Sequence, residues 1–380
     1  MKKILFVFGK RPELIKMAPI ILRMKQFPED FEICVCNSAQ HRDMLSGLLD
    51  LFGIEVDIDL NIMRSDQDLF DITSGLINAM KKEVFQIFKP DWVFVQGDTT
   101  TTLSAAMSSF YSKIPLAHVE AGLRTYRMDS PFPEEFNRRV CSLIANRHYC
   151  PTKMAEANLL KEGVAKENII VTGNTGIDSI QWLLGNYDDR FFRQNISNTC
   201  ESIGELIDSG RKIVLITLHR REHFGSTFLG IIDAIKTLAE KFPDVSWVYP
   251  VHPNPNVSGP VNDHLQNISN IHLLSPMDYV SFIYLMKLSY CVITDSGGVQ
   301  EEAPSLGKPI LVLRETTERP EGIEAGTALL AGNDHDRIID MTTELLTNDE
   351  LYQKMAGIQN PYGDGNAATV IVDDLKNISF

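Results

Sequence analysis

The feature that most restricts how this chain can fold is a repeated unit: a short apolar run, a polar or glycine cluster, then apolar residues at helical spacing. Strand-like runs at residues 4–8, 32–36, 92–96, 116–119, 147–150 and 169–171 occupy the first half, and runs at 213–217, 246–250, 271–274, 290–294 and 309–313 the second. Between them, stretches such as 13–25 and 228–241 place apolar residues on one helical face. Strand–helix alternation of this kind predicts a mainly parallel sheet covered by helices. Two such series in 380 residues, too long for one comfortable core, predict an α/β chain of two doubly wound, Rossmann-like domains. The polar, helix-like stretch 186–210 marks the crossover, at or just before its start.

The strands end in polar or glycine clusters. Gly9-Lys10-Arg11, Gly97-Asp98-Thr99-Thr100, Glu120-Ala121-Gly122, Leu218-His219-Arg220-Arg221-Glu222 and Asp295-Ser296-Gly297-Gly298 each follow an apolar run. In open α/β sheets ligands bind outside the carboxyl ends of the strands. Clusters from both halves therefore point to domains facing across a shared cleft.

These clusters carry chemistry by residue type. Ser296-Gly297-Gly298 opens a helix with small residues, where a phosphate can reach exposed backbone N–H groups, and Glu302 lies about a turn and a half further on, suited to ribose hydroxyls. A plain helix cap by Asp295 or Ser296 is the bland alternative. Arg314 and Arg319 follow the next strand and can neutralise a diphosphate, Arg319 being the better placed. Arg11 and Lys16 bring a second set of cations after the first strand. Asp98, Glu120 and Glu134 are three carboxylates of the first half, Asp98 heading a threonine run that reads as a helix start and Glu134 following the loop Ser130-Pro131-Phe132-Pro133. Carboxylates brought together in a dry site can divide into one acid and one base. His219 shares its strand end with two arginines, which suits contact with an oxyanion.

Composition narrows the partners. A formal net charge of −14 argues against nucleic-acid or anionic-membrane surfaces. No apolar run is long enough to span a bilayer, and residues 4–8 run straight into Lys10-Arg11-Pro12-Glu13, so a buried first strand is expected rather than a signal peptide. The six cysteines show no CxxC or Cys/His metal spacing; Cys34 and Cys36, two apart on one strand, read as buried free thiols of a cytoplasmic protein. No metal site is expected.

Taken together, residues 9–16, 97–102 and 118–125, Pro133-Glu134-Glu135 with Asn137-Arg138, residues 219–222, 295–307 and 319–322, and Asn360-Pro361-Tyr362-Gly363-Asp364-Gly365 resemble the non-hydrolysing UDP-N-acetylglucosamine 2-epimerases over essentially the whole chain. The resemblance implies a GT-B fold: residues 1–180 carrying the acid/base carboxylates, 181–363 binding UDP, and a last helix, about 364–380, packing back on the first domain. It also implies a homodimer and a cofactor-free reaction on a UDP-sugar, in which UDP is eliminated to give 2-acetamidoglucal and then adds back. Carried over, Asp98, Glu120, Glu134 and His219 form the catalytic set. Arg11, Lys16, Phe282, Ser296, Gly297, Gly298, Glu302 and Arg319 would hold the nucleotide, and Gln40 and His252 match a second, allosteric UDP-sugar site. Lys10, Leu218 and Met277 depart from the family's usual residues, as do Asp43 and Asp66 near the allosteric positions. A modified N-acetylhexosamine substrate, a GT-B glycosyltransferase, a hydrolysing relative and a non-catalytic UDP-sugar sensor are the competing readings.

Overall fold

A computed structural model describes residues 1–38, 42–62, 64, 66–199 and 202–378. The chain divides into two compact units, Met1–Trp182 with Tyr362–Phe380, and Leu183–Pro361.

The first unit is built on Lys2–Phe8 (β1), Phe31–Asn37 (β2), Ile58–Asp59 (β3), Trp92–Gln96 (β4), Leu116–Val119 (β5), Arg147–Cys150 (β6) and Ile169–Val171 (β7). All pair in parallel, in the order β3-β2-β1-β4-β5-β6-β7. The N-terminal apolar run is thus an interior strand, with Ile4, Leu5, Phe6, Val7 and Phe8 fully buried. A strand covered on both faces needs an unbroken apolar run, which is what β1 has. Register pairs Leu5 with Cys34 and Val7 with Cys36, and all four join one core with Val93, Val95 and Leu76. Both thiols are free and buried; burial pushes Cys34 up to about 12 and raises Cys36 as well.

The second unit repeats the plan with Ile213–Thr217 (β8), Ser246–Pro250 (β9), Ile271–Leu274 (β10), Cys291–Thr294 (β11), Ile310–Val312 (β12) and Ala328–Leu330 (β13). These are also parallel, ordered β10-β9-β8-β11-β12-β13. Trp247, Tyr249 and Phe228 are buried in its core, each worth roughly 1.5–3 kcal/mol of burial. The doubly wound α/β fold class is borne out, with two additions. Strands β3 and β13 are sheet edges of two and three residues that the strand-like runs of the sequence do not include. The polar stretch 186–210 proves to span Asp189–Thr199 and Ser202–Asp208, with Thr175–Asn186 ending where it begins.

Strand order reverses beside β1 and β4 in one sheet and beside β8 and β11 in the other. At such a switch point adjacent crossovers leave on opposite faces, opening a crevice at the carboxyl ends. The polar clusters after these four strands are among those the sequence marks out, the fifth following β5.

The last helix, Ala367–Asn377, belongs to the first unit. It buries Ile371, Val372 and Leu375. Asp178 accepts the Ala368 N–H at 2.8 Å, and Tyr149 donates to Asp374 at 3.0 Å. Among the described residues no helix is long and apolar enough to cross a membrane.

Candidate active site

In the first unit one carboxylate ties the two switch-point turns together. Glu13, 1% exposed, accepts the N–H groups of Gly9 (2.9 Å) and Lys10 (2.7 Å) after β1. Its other oxygen accepts the hydroxyls of Thr99 (2.6 Å) and Thr102 (3.3 Å) after β4. Burial raises its proton affinity, and these donors work against that. Arg11 opens the helix Arg11–Met24, in which Pro12 fills an N-terminal position that needs no donor. Arg11 is half-buried and has no ion-pair partner among the described residues. It is a cation with its charge unspent.

Lys16, one turn on, pairs with Glu120. The Glu120 carboxylate also accepts from the Gln96 amide, so it is fixed from two sides. Glu120 sits at φ +64°, a left-handed conformation that is uncommon for a side-chain-bearing residue and clusters at functional sites. A Cβ placed on Gly97 would lie 3.6 Å from Glu120 Oε2, so this carboxylate hangs over the turn that carries Asp98. His118 donates from Nε2 to the Gly97 carbonyl at 2.7 Å; burial holds it down to about 4, so it is neutral and anchors the same turn.

Asp98 is not the helix cap that its place before the threonines allows. Thr99 takes that role, accepting the Thr102 N–H at 3.1 Å. Asp98 is thereby released to accept from Arg138 Nε (2.9 Å) and Nη2 (2.7 Å). Arg138 also reaches the buried Glu135 at 3.1 Å. Asn137 donates to the Asp98 carbonyl at 2.8 Å. Glu134, which follows the proline loop, is the first residue of the helix Glu134–Ile144. It stands three and four residues before Asn137 and Arg138, the two residues of this helix that reach Asp98. Among the described residues it has no hydrogen-bond or ion-pair partner. Asp98 and Glu120 are therefore brought to one turn and both are held, while Glu134 stands on the helix that supplies Asn137 and Arg138 to it. Gln96 and Glu13 escape a search for reactive groups because their hydrogen-bond partners are other side chains and a backbone turn.

In the second unit the centre is Asp295, which is fully buried. It caps no helix: its Oδ2 accepts the His219 and Arg220 N–H groups at 2.9 Å each. Its Oδ1 lies 3.3 Å from His219 Nδ1, and its Oδ2 3.3 Å from His223 Nδ1. Burial pushes the carboxyl up, but His223, His219 and the two backbone donors outweigh it and hold the group below the usual range. Burial also lowers His219's proton affinity, against the pull of Asp295. Its ring stacks on His252 with centroids 5.7 Å apart.

Ser296-Gly297-Gly298 leads into a helix that ends at Glu302, so Glu302 is its last residue rather than an interior one. A Cβ on Gly297 would come within 3.0 Å of Arg319 Cζ. The guanidinium thus lies close over the glycine, and a side chain there would have to push it aside by a few tenths of an ångström. Arg319 is steered by Glu301 (2.7 Å) and Glu318 (2.9 Å). Asn360 in turn donates to the Glu301 carbonyl at 2.9 Å. Phe282 is half-buried on the helix Tyr279–Leu288, which Asp278 caps. Gln40 lies outside the described residues.

The family model described as UDP-N-acetylglucosamine 2-epimerase matches residues 24–376. The chain belongs to the UDP-N-acetylglucosamine 2-epimerase family. It is 48% identical over 373 residues to the UDP-N-acetylglucosamine 2-epimerase of Neisseria meningitidis serogroup A, covering 98% of this chain and 99% of that protein. The Escherichia coli K12 enzyme of the same name is 47% identical, covering 99% and 98%. Among solved structures, the Neisseria meningitidis epimerase bound to UDP-GlcNAc superposes with a TM-score of 0.90 at 47% identity, over 98% of this chain and 99% of that one. The Methanocaldococcus jannaschii epimerase in complex with UDP-GlcNAc and UDP gives 0.79 at 30% identity, over 98% and 99%.

Proposed function

We propose that this chain interconverts UDP-N-acetylglucosamine and UDP-N-acetylmannosamine, acting as a non-hydrolysing epimerase at carbon 2. The observation that carries this reading is a pair of carboxylates at one turn, Asp98 held by Arg138 and Glu120 by Lys16, with Glu134 on the helix that supplies Arg138. Such a set can take a proton from one face of a sugar and return it to the other.

The proton on carbon 2 is not acidic, so the diphosphate must leave first or nearly so. The carbon 1–oxygen bond breaks with its electron pair passing to UDP, and the carbon 2 proton passes to a carboxylate, leaving 2-acetamidoglucal. UDP then adds back while the opposite face is protonated. The two steps cancel in redox terms, so no cofactor is called for. Leaving-group charge falls to His219, Arg11, Lys16 and Arg319, with Ser296, Gly297 and Gly298 offering backbone N–H groups, while Phe282 and Glu302 hold the uridine. Exclusion of water keeps the glycal from being lost before UDP returns. We read residues 1–180 with the last helix as the acid/base domain, 181–363 as the UDP domain, and Gln40 with His252 as part of an activating second UDP-sugar site.

Incubation with UDP-N-acetylglucosamine in deuterated water tests this directly. The expected result is a mixture of both epimers carrying deuterium at carbon 2. Sugar transfer, or irreversible release of free sugar without label in the recovered substrate, rejects it in favour of a glycosyltransferase or a hydrolase.

We read the protein as a cytoplasmic homodimer supplying surface-polysaccharide precursors. Exposed Phe70 and Phe132 on the first unit support the dimer; sedimentation that shows a monomer at working concentration removes that part.

A further inference from the structure

His219 Nδ1 faces an acceptor that has no other donor. Asp295 is fully buried, and two backbone N–H groups occupy its Oδ2. Its Oδ1 has no hydrogen-bond partner, and His219 Nδ1 lies 3.3 Å from it. A buried carboxylate oxygen facing a ring nitrogen is satisfied only when that nitrogen bears the proton. The neutral tautomer is thereby selected, and Nε2 is left as the ring's outward atom. The His219 side chain keeps 40% of its surface exposed. The other charged or titratable groups facing the ring are Arg220, His252 and His223. None of them offers Nδ1 an acceptor as Asp295 does.

We propose that Asp295 is a positioning residue that holds His219 in its Nδ1-protonated form and presents Nε2 to the departing diphosphate. The inference rests on the epimerase reading for its ligand, while the tautomer follows from the second unit alone. When the carbon 1–oxygen bond breaks, negative charge accumulates on the diphosphate. Nε2 takes a proton from solvent as the diphosphate binds, and that Nε2–H hydrogen-bonds the developing charge while Asp295 stabilises the imidazolium from the other side. The same pair releases the proton when UDP adds back, so the cycle ends with His219 as it began. His223 Nδ1 lies 3.3 Å from the other carboxylate oxygen, which the His219 and Arg220 N–H groups hold in place.

The substitution Asp295→Asn isolates the effect. The Asn carbonyl still accepts the two backbone N–H groups, which turns its NH2 toward His219 Nδ1 and forces the opposite tautomer. Nitrogen-15 NMR of the histidine rings in the unaltered protein is expected to show His219 protonated at Nδ1, with the ring taking up a proton at higher pH once UDP is added. The Asp295→Asn protein is expected to show Nε2 protonated, kcat lower by about 100-fold or more, a UDP dissociation constant within about threefold, and loss of the pH-rate limb that belongs to His219. His219→Gln should lower kcat alike, and Asp295→Asn should cost little more on top of it. An Nε2-protonated His219 in the unaltered protein overturns the proposal without need of any variant. So does an Asp295→Asn protein whose kcat and pH profile are unchanged, or one whose UDP binding falls in step with kcat. If the unaltered protein makes no epimer yet shows the Nδ1 tautomer, the epimerase reading fails and the positioning by Asp295 stands.

Discussion

Replacing Gly297 by alanine separates the fold from the diphosphate cradle. The added methyl would lie 3.0 Å from Arg319 Cζ, 3.2 Å from Nη1 and 3.3 Å from Nε, closer than a carbon can settle without displacing the guanidinium. Arg319 is not free to swing, because Nε is held by Glu301 at 2.7 Å and Nη1 by Glu318 at 2.9 Å. A shift of a few tenths of an ångström loosens one of these charge-assisted bonds, each worth roughly 1.5–3 kcal/mol. It also moves the cation from where a phosphate would meet it. We expect UDP to bind about 10- to 100-fold more weakly, the equivalent of about 1.4–3 kcal/mol. Stability should change little, since alanine in place of glycine on a helix gains up to about 1 kcal/mol and offsets the local crowding. Calorimetric titration with UDP, beside thermal unfolding of the same preparation, reads both quantities. Unchanged UDP affinity refutes the reasoning, and so does a loss that merely tracks a large drop in melting temperature.

The first unit can be tested in the same way. Glu120→Gln and Asp98→Asn should each cut turnover by about 100-fold or more while UDP titration stays within about threefold; full turnover in either strips that residue of its role. Gly122→Ala should destabilise the unit by roughly 3 kcal/mol or more, because at φ +92° its new carbon would lie 2.3 Å from the Ala155 carbonyl oxygen, and denaturant unfolding checks it. Burial raises Asp178 to about 6, with one carboxylate oxygen unpartnered. Between about pH 4 and 6 the folded state therefore binds the proton more tightly than the unfolded chain, so stability falls as pH rises, by up to about 3 kcal/mol. Asp178→Asn should flatten that dependence in denaturant midpoints taken at pH 4 and pH 7, and an unaltered slope contradicts the assignment.

The parallel sheets are legible in the sequence because their interior strands are unbroken apolar runs, as in β1, β4 and β8. The edge β3 is not, since its two residues carry no pattern. Strand-end chemistry is legible because the polar cluster interrupts the apolar run at the very edge where a parallel sheet opens its crevice. What stays hidden is the layer that aims the reactive groups. Arg138 reads as any helix arginine until it closes on Asp98, and Asp295 reads as a cap until its oxygens are found serving the His219 turn. Partnerships across forty or more residues depend on strand order, which no local window contains.

Epimerisation by this route requires that the sugar part from its diphosphate and that the same two pieces rejoin. UDP-N-acetylglucosamine carrying oxygen-18 only in the bridge between carbon 1 and phosphorus tests it. We predict that recovered sugar nucleotide shows the heavy oxygen spread into non-bridging positions at a rate comparable with deuterium entry at carbon 2. Deuterium entering while the heavy oxygen stays in the bridge would mean that the bond never broke, and would contradict elimination and re-addition.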